Sequence, residues 1–480
     1  MKPQPPGTPS KLSDSAHPQF RLDAVAASAA RIRWRKELSS VVLAALVFMI
    51  SLTFVPGSWA ASRFKVLYAF KGTPDGASPS GDLTFDAAGN LYGATYVGGS
   101  SQSDCGVYNI TGCGTVFKLA PGAGGWIETV LYRFCTDTNC SDGANPNGGM
   151  ILDAAGTLYG TTIAGGGGNQ FCSFEAGLGC GTAFELKPGQ DGTWTETVLD
   201  HFQMNSPGGA GPNGGLIFDK SGNLYGTTDA GGKCCGPIQD YGAGLIYELT
   251  SNSGGWSENV LYSFCSQTNC SDGNSPFAGL IWGTDRTLYG TTISGGWDFF
   301  PCFGCGTVFE LVESGGKWKE KVIHAFTGGD GVEPTAGLAA DSQGNLYGTT
   351  TLDGPFGFGT VFKLTRLAGG RWNYCLLYSF RTGSFYGSFA TRPVLDKAGN
   401  LYGTILNGGN GNCGQACGLV YKLTPGPHGK WKFTTVHNFT GGADGGLPST
   451  DLILDDKGNL YGAAEVGGAA GYGTVFEITP

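Results

Sequence analysis

After residue 60, apolar positions alternate with polar ones or run in fours, and each run is bounded by Gly, Asn, Asp or Pro. Gly215-Leu216-Ile217-Phe218-Asp219, Gly222-Asn223-Leu224-Tyr225-Gly226-Thr227-Thr228 and Trp256-Ser257-Glu258-Asn259-Val260-Leu261-Tyr262-Ser263-Phe264 are three such stretches. Two-residue alternation with punctuating turns marks strands, and the helical period is nearly absent. The set recurs. Leu-Tyr-Gly stands at Leu91, Leu158, Leu224, Leu288, Leu346, Leu401 and Leu460, at intervals of 67, 66, 64, 58, 55 and 59 residues. An apolar run ending in Asp precedes most copies. Gly-Thr-Val-Phe-Glu-Leu or a close relative follows, and then a Trp-led segment. Four short strands per period, repeated, predict a repeat architecture.

The two ends of the array complete each other. Arg63 to Phe70 carries Val66-Leu67-Tyr68-x-Phe70, matching Val130-Leu131-Tyr132-x-Phe134 of the Trp-led strand, without a Leu-Tyr-Gly before it. Gly473 to Ile478 is a third strand with no fourth after it. An orphan strand at one end and a missing strand at the other predict an all-β, seven-bladed β-propeller with four strands per blade, its last blade closed by the N-terminal strand. Strands A to D run from the axis outward. In blade one they are expected over 81–86, 90–95, 114–119 and 126–134.

The first 60 residues are different. A basic cluster at Arg31, Arg33, Arg35 and Lys36 precedes the uncharged apolar run Val41 to Val55, and Ser58-Trp59-Ala60 offers small residues for cleavage. That order predicts an export signal over 1–60 followed by a propeller over 61–480, with an uncleaved membrane anchor as the alternative. The 15 cysteines fit an exported chain. They fall in close pairs, Cys105/Cys113, Cys135/Cys140, Cys172/Cys180, Cys265/Cys270, Cys302/Cys305 and Cys413/Cys417, leaving Cys234, Cys235 and Cys375. Such pairs are read as disulfides. Zinc is disfavoured, because none of the five His lies near Cys302 and Cys305. An extracytoplasmic monomer is expected. Leaving out residues 1–60, 22 basic residues face 35 acidic ones, which excludes nucleic acid as a partner.

The joint pattern Gly-Asn-Leu-Tyr-Gly-Thr-Thr, Gly-Thr-Val-Phe-Glu-Leu and Asp-Gly-x-x-Pro resembles the Gloeo/Verruco tandem-repeat family of exported bacterial proteins, over nearly all of Arg63 to Pro480. The resemblance implies an N-terminal export signal and, in many members, a C-terminal surface anchor. Nothing follows Pro480 here, so no such anchor is expected. No activity is implied, because the family is defined by its repeat. One turn per repeat, Asp-x-x-Gly-Asn-Leu-Tyr, is also similar to the hairpin of NHL-type propellers.

Three features could carry chemistry. The long loops between strands B and C and between D and A share one face and hold 14 of the 15 cysteines. On that face Trp297, Phe299, Phe300, Phe356, Phe358, Phe385 and Tyr386 form a candidate ligand platform. Asp75, Asp142, Asp272, Asp330 and Asp444 each open an Asp-Gly-x-x-Pro loop or its variant. Turn chemistry accounts for that motif; the alternative is calcium, for which one Asp per loop guarantees no convergence. His201, His324 and His437 align with Tyr132 or Tyr68 and read as replacements for Tyr. No Gly-x-Ser-x-Gly, His-Glu-x-x-His or phosphate loop occurs, and no cofactor is expected. The expected function is binding of extracellular carbohydrate or protein at the cell surface. A hydrolase or lyase acting on polysaccharide is the alternative, and two carboxylates converging at the channel would favour it.

Overall fold

The computed structural model describes residues 62–480 except 101–104, 106–109, 168–171, 173–178, 205–207, 233–241, 285, 297–303, 382–389, 410, 412 and 414–416. The expected export segment lies outside the described residues. Ser62–Pro480 is one unit.

Each repeat folds into an antiparallel sheet of strands A to D. Blade three runs Ile217–Phe218, Leu224–Thr228, Leu245–Asn252 and Gly255–Ser263, in that hydrogen-bonded order. The other six follow suit, and seven blades close the ring. In blade seven Ile453–Leu454, Leu460–Ala464 and Thr474–Thr479 are completed by Arg63–Ala69, with Arg63 opposite Thr479 and Ala69 opposite Thr474. The chain's first strand therefore covers the edge of its last. Pairing of that edge removes a template for aggregation.

Burial explains the sequence pattern. Strand B is buried throughout, as in Leu224–Thr228, whereas outer strand D alternates exposed and part-buried positions, as in Gly125–Arg133. The core lies between blades: one cluster joins Val116 and Phe134 of blade one to Leu158, Phe184 and Leu186 of blade two. Tyr of Leu-Tyr-Gly meets the strand-D Trp of the next blade, with ring centroids 6.3 Å apart for Tyr92 and Trp194 and 6.2 Å for Tyr225 and Trp318. Its hydroxyl has a second role, donating to the Asp that ends strand A: Tyr92 to Asp86 at 3.0 Å and Tyr347 to Asp341 at 3.0 Å. The same Asp caps the hairpin, as when Asp219 accepts from the Ser221 and Asn223 amides at 2.7 and 2.9 Å. The Gly of Leu-Tyr-Gly is needed for close approach. A Cβ on Gly93 would lie 2.7 Å from the Phe117 ring.

Asp-Gly-x-x-Pro is a clasp between blades. The residue before Pro has a left-handed backbone, φ 55° at Asn145 and 56° at Ser275. Its amide donates to the preceding blade, Asn145 to the Cys113 carbonyl and Ser275 to the Ala243 carbonyl, both at 2.8 Å. The Pro ring then packs over the Gly of Gly-Thr-Val-Phe, where a Cβ on Gly114 would lie 2.6 Å from Pro146 Cδ. The two halves of the family pattern thus fit together across the junctions whose loop carries the motif.

Candidate ligand site on the propeller axis

One residue precedes the strand-A apolar run in every blade. From blade one to blade seven it is Asp82, Gly149, Gly215, Gly279, Gly337, Arg392 and Asp451. All seven line a cavity of about 830 Å³. They also touch around the axis: a Cβ on Gly149 would fall 2.7 Å from Asp82 Cβ, one on Gly279 3.0 Å from the Gly215 carbonyl oxygen, and one on Gly337 3.4 Å from Arg392 Cδ. Glycine at these positions lets neighbouring backbones approach. The charged arc is confined to blades six, seven and one.

That arc is tightly bonded. Arg392 Nε donates to Asp451 Oδ2 at 2.7 Å, its backbone amide to Asp451 Oδ1 at 2.9 Å, and Nη2 to Asp82 Oδ2 at 2.9 Å. The Asp451 amide reaches Asp82 Oδ1 at 3.3 Å. Burial, and then the charge of Asp82, push Asp451 up to about 7 against the pull of Arg392. Asp451 raises the Arg392 affinity for its proton. Both Asp451 oxygens are committed to Arg392. Asp82 and Arg392 keep about a third of their side chains exposed, 34% and 31%. Burial also raises Glu465, another residue of the cavity wall.

The wall contributed by blades two and three carries amides. Asn147 Nδ2 donates to Asn213 Oδ1 at 3.1 Å, and Asn213 Nδ2 donates to Asp229 Oδ2 at 3.0 Å. Burial pushes Asp229 up to about 7. The direction of these two bonds fixes both amides and leaves Asn147 Oδ1 as an acceptor. Ile151, Ile217, Phe277 and Ile453 add apolar surface to the same cavity.

The residues singled out in the sequence lie elsewhere. Each loop Asp spends its oxygens locally. Asp142 Oδ2 accepts from Tyr132 Oη at 2.9 Å and the Thr136 amide at 2.9 Å, and Asp272 Oδ2 from Tyr262 Oη at 2.7 Å and the Ser266 amide at 2.8 Å. Asp75 takes the Tyr68 hydroxyl and the Lys71 amide. Asp330 takes His324 Nε2 at 2.9 Å and the Thr327 amide at 2.8 Å, and Asp444 takes His437 Nε2 at 3.2 Å and the Thr440 side chain. Each of the five has its own local donors, and none of these donors is shared with another loop Asp. Among the described residues, the one group of three His, Cys, Asp or Glu side chains with ligand atoms within 4.8 Å is Cys105, Cys113 and Cys135, and these are in disulfides.

His324 and His437 stand in the Tyr place, but His201 does not. Asp200 pairs with Ala183 as Tyr132 pairs with Val116, while His201 pairs with Thr182 as Arg133 pairs with Thr115. Alignment by residue type had missed that one-place offset. Between described residues the disulfides Cys105–Cys113, Cys135–Cys140, Cys172–Cys180, Cys265–Cys270 and Cys413–Cys417 form. Cys305 is also bonded and Cys375 is a free, exposed thiol. Cys234, Cys235 and Cys302 lie outside the described residues, as do Trp297, Phe299, Phe300, Phe385 and Tyr386. Of the aromatic platform, Phe356 is exposed with the Arg381 guanidinium 4.2 Å from its ring centroid, and Phe358 packs against a blade core. Among the described residues no helix is long and apolar enough to cross a membrane.

The chain is thus a closed seven-bladed β-propeller with a cavity of mixed polar and apolar lining on its axis. It belongs to the Gloeobacter/Verrucomicrobia repeat family, whose model matches over 56–300, 167–417 and 302–480. No curated protein matches it. Solved structures similar to it include a gluconolactonase from Xanthomonas campestris, 16% identical over 72% of this chain and 87% of that one, with a TM-score of 0.39. A luciferin-regenerating enzyme is 13% identical over 88% of this chain and 96% of that one, with the same TM-score of 0.39. At these values neither bears on what this chain binds.

Proposed function

We propose that the protein is an extracytoplasmic binding module that takes extracellular carbohydrate or protein on the cell surface, with the axial cavity as its ligand site. The observation that carries this reading is the cavity itself: about 830 Å³, mixed polar and apolar walls, and Asp82, Arg392 and Asp451 gathered where four other blades supply only glycine. Ligand sites are commonly concave, of a few hundred to about 1,000 Å³, with a small number of fixed polar groups. The disulfides support an oxidising compartment. A glycan array probed with the full chain, beside capture of cell-surface proteins, tests it. Binding that Arg392→Gln abolishes supports the reading; no binding to either class refutes it.

A specific observation also favours the hydrolytic alternative. Asp82 and Asp451 meet on one guanidinium, and burial together with the charge of Asp82 pushes Asp451 up to about 7. Against it, both Asp451 oxygens are held by Arg392. Release of reducing ends from polysaccharide, lost in Asp451→Asn, would decide for catalysis.

A further inference from the structure

Resting on the binding reading, we propose that the axial site takes an uncharged polyhydroxylated ligand, a mono- or disaccharide unit, with Asp82, Arg392 and Asn147 as its polar contacts.

One positive charge stands between two acidic groups where the ligand would sit. Asp451 is the less exposed of the two carboxyls, 17% against 34% for Asp82, so Arg392 and Asp82 are the more accessible donor and acceptor, side by side. Arg392 uses Nε and one Nη2 hydrogen on its partners, which leaves three of its five N–H donors for a ligand. Asp82 Oδ2 takes one of those hydrogens and Oδ1 only the longer 3.3 Å contact, so lone pairs remain on both oxygens. Each hydroxyl of a vicinal diol donates and accepts at once, and an adjacent guanidinium and carboxylate answer both needs.

Asn147 supplies a second acceptor, its orientation set by the chain through Asn213 to buried Asp229. Ile151, Ile217 and Phe277 in the same wall offer apolar surface for C–H faces. The glycine positions of blades two to five keep side chains out of the waist.

Charged ligands fit less well. An anion would meet Asp82, Asp451 and Glu465 in the same cavity. An organic cation would have to compete with Arg392 for the carboxylates. A metal ion would likewise have to compete with Arg392 for Asp82 and Asp451.

The test is titration calorimetry of the full chain with free glucose, galactose, mannose and their β-linked disaccharides, with glucuronate and glucosamine as charged counter-probes. At least one neutral sugar is expected to bind. Asp82→Asn and Asn147→Ala should each weaken binding roughly tenfold, and Arg392→Gln by ten- to a hundredfold, the scale of one hydrogen bond to a charged group. Asn147→Ala breaks no bond to the charged arc and should melt like the wild type, so it stays informative if Arg392→Gln fails to fold. Binding of a neutral sugar that Asp82→Asn and Asn147→Ala leave unchanged would overturn the axial assignment. Binding of glucuronate or glucosamine alone would overturn the ligand class and leave the binding reading standing. A blank titration joined to a blank glycan array and no protein captured would overturn both.

Discussion

Glu320 offers a test of how the blade junctions are held. It lies on strand D of blade four, only 6% exposed, with Oε1 unpartnered among the described residues and Oε2 3.4 Å from Gln267 Nε2. Burial, followed by the charge of Asp272 across the junction, pushes it up to about 8 from an ordinary 4.5. The folded state therefore holds this proton more tightly than the unfolded chain does. Its stabilising effect is complete below about pH 4.5 and is lost as pH rises towards about 8. At about 1.4 kcal/mol per decade of proton affinity the gap corresponds to ~5 kcal/mol, a ceiling. Relaxation and water entry at the junction reduce it, and we expect about 1–3 kcal/mol. Glu320→Gln keeps the shape of the neutral acid and cannot ionise. Urea unfolding at about pH 5 should find the variant close to wild type, and at about pH 9 the variant should be more stable by that 1–3 kcal/mol. The same difference at both pH values would refute the reasoning, because packing alone would then account for it.

Three further outcomes follow from other contacts. Deleting Arg63–Ala69 uncovers the edge of Thr474–Thr479, so the truncated chain should associate and melt lower; a monomer with unchanged melting would contradict the shared blade. Tyr132→Phe removes the hydroxyl that Asp142 accepts at 2.9 Å and should cost ~1 kcal/mol, while Asp142→Ala, which strips the loop of its acceptor, should cost ~2–3 kcal/mol in the same denaturation assay. Alkylation of the native, non-reduced protein followed by peptide mapping should label Cys375 and spare Cys135, Cys140, Cys265 and Cys270; label on those four would remove the loop bridges.

The architecture was readable because each repeat states it again. Leu-Tyr-Gly needs a small residue beneath the Phe ring of the next strand, and the orphan Arg63–Ala69 matched a vacancy beside Thr474–Thr479. The local cysteine pairs were readable from spacing. The axial site was not, because it uses one position per repeat and that position is glycine four times. Arg392 and Asp82 are 310 residues apart, and neither belongs to a motif. Only superposing the repeats at the residue before strand A would have exposed Asp, Arg and Asp among glycines. The Asp-Gly-x-x-Pro carboxylates were visible for the opposite reason: they recur because five of the seven junctions use the same clasp. The platform aromatics other than Phe356 and Phe358 fall outside the described residues.

The charged arc sits at the seam of the ring. Asp82 comes just after the strand that closes blade seven, Asp451 opens blade seven, and Arg392 belongs to the blade before it. Such a site is a read-out of ring closure. While the chain is being synthesised from its N-terminus, Asp82 is present but Arg392, 310 residues further on, is not, and the axial cavity has yet to form. A ring that fails to zip leaves Arg392 without the carboxylate of blade one. Any ligand held by this arc would bind only closed molecules and would act as a bolt across the join, adding to the hydrogen bonds of one short strand the affinity of the complex.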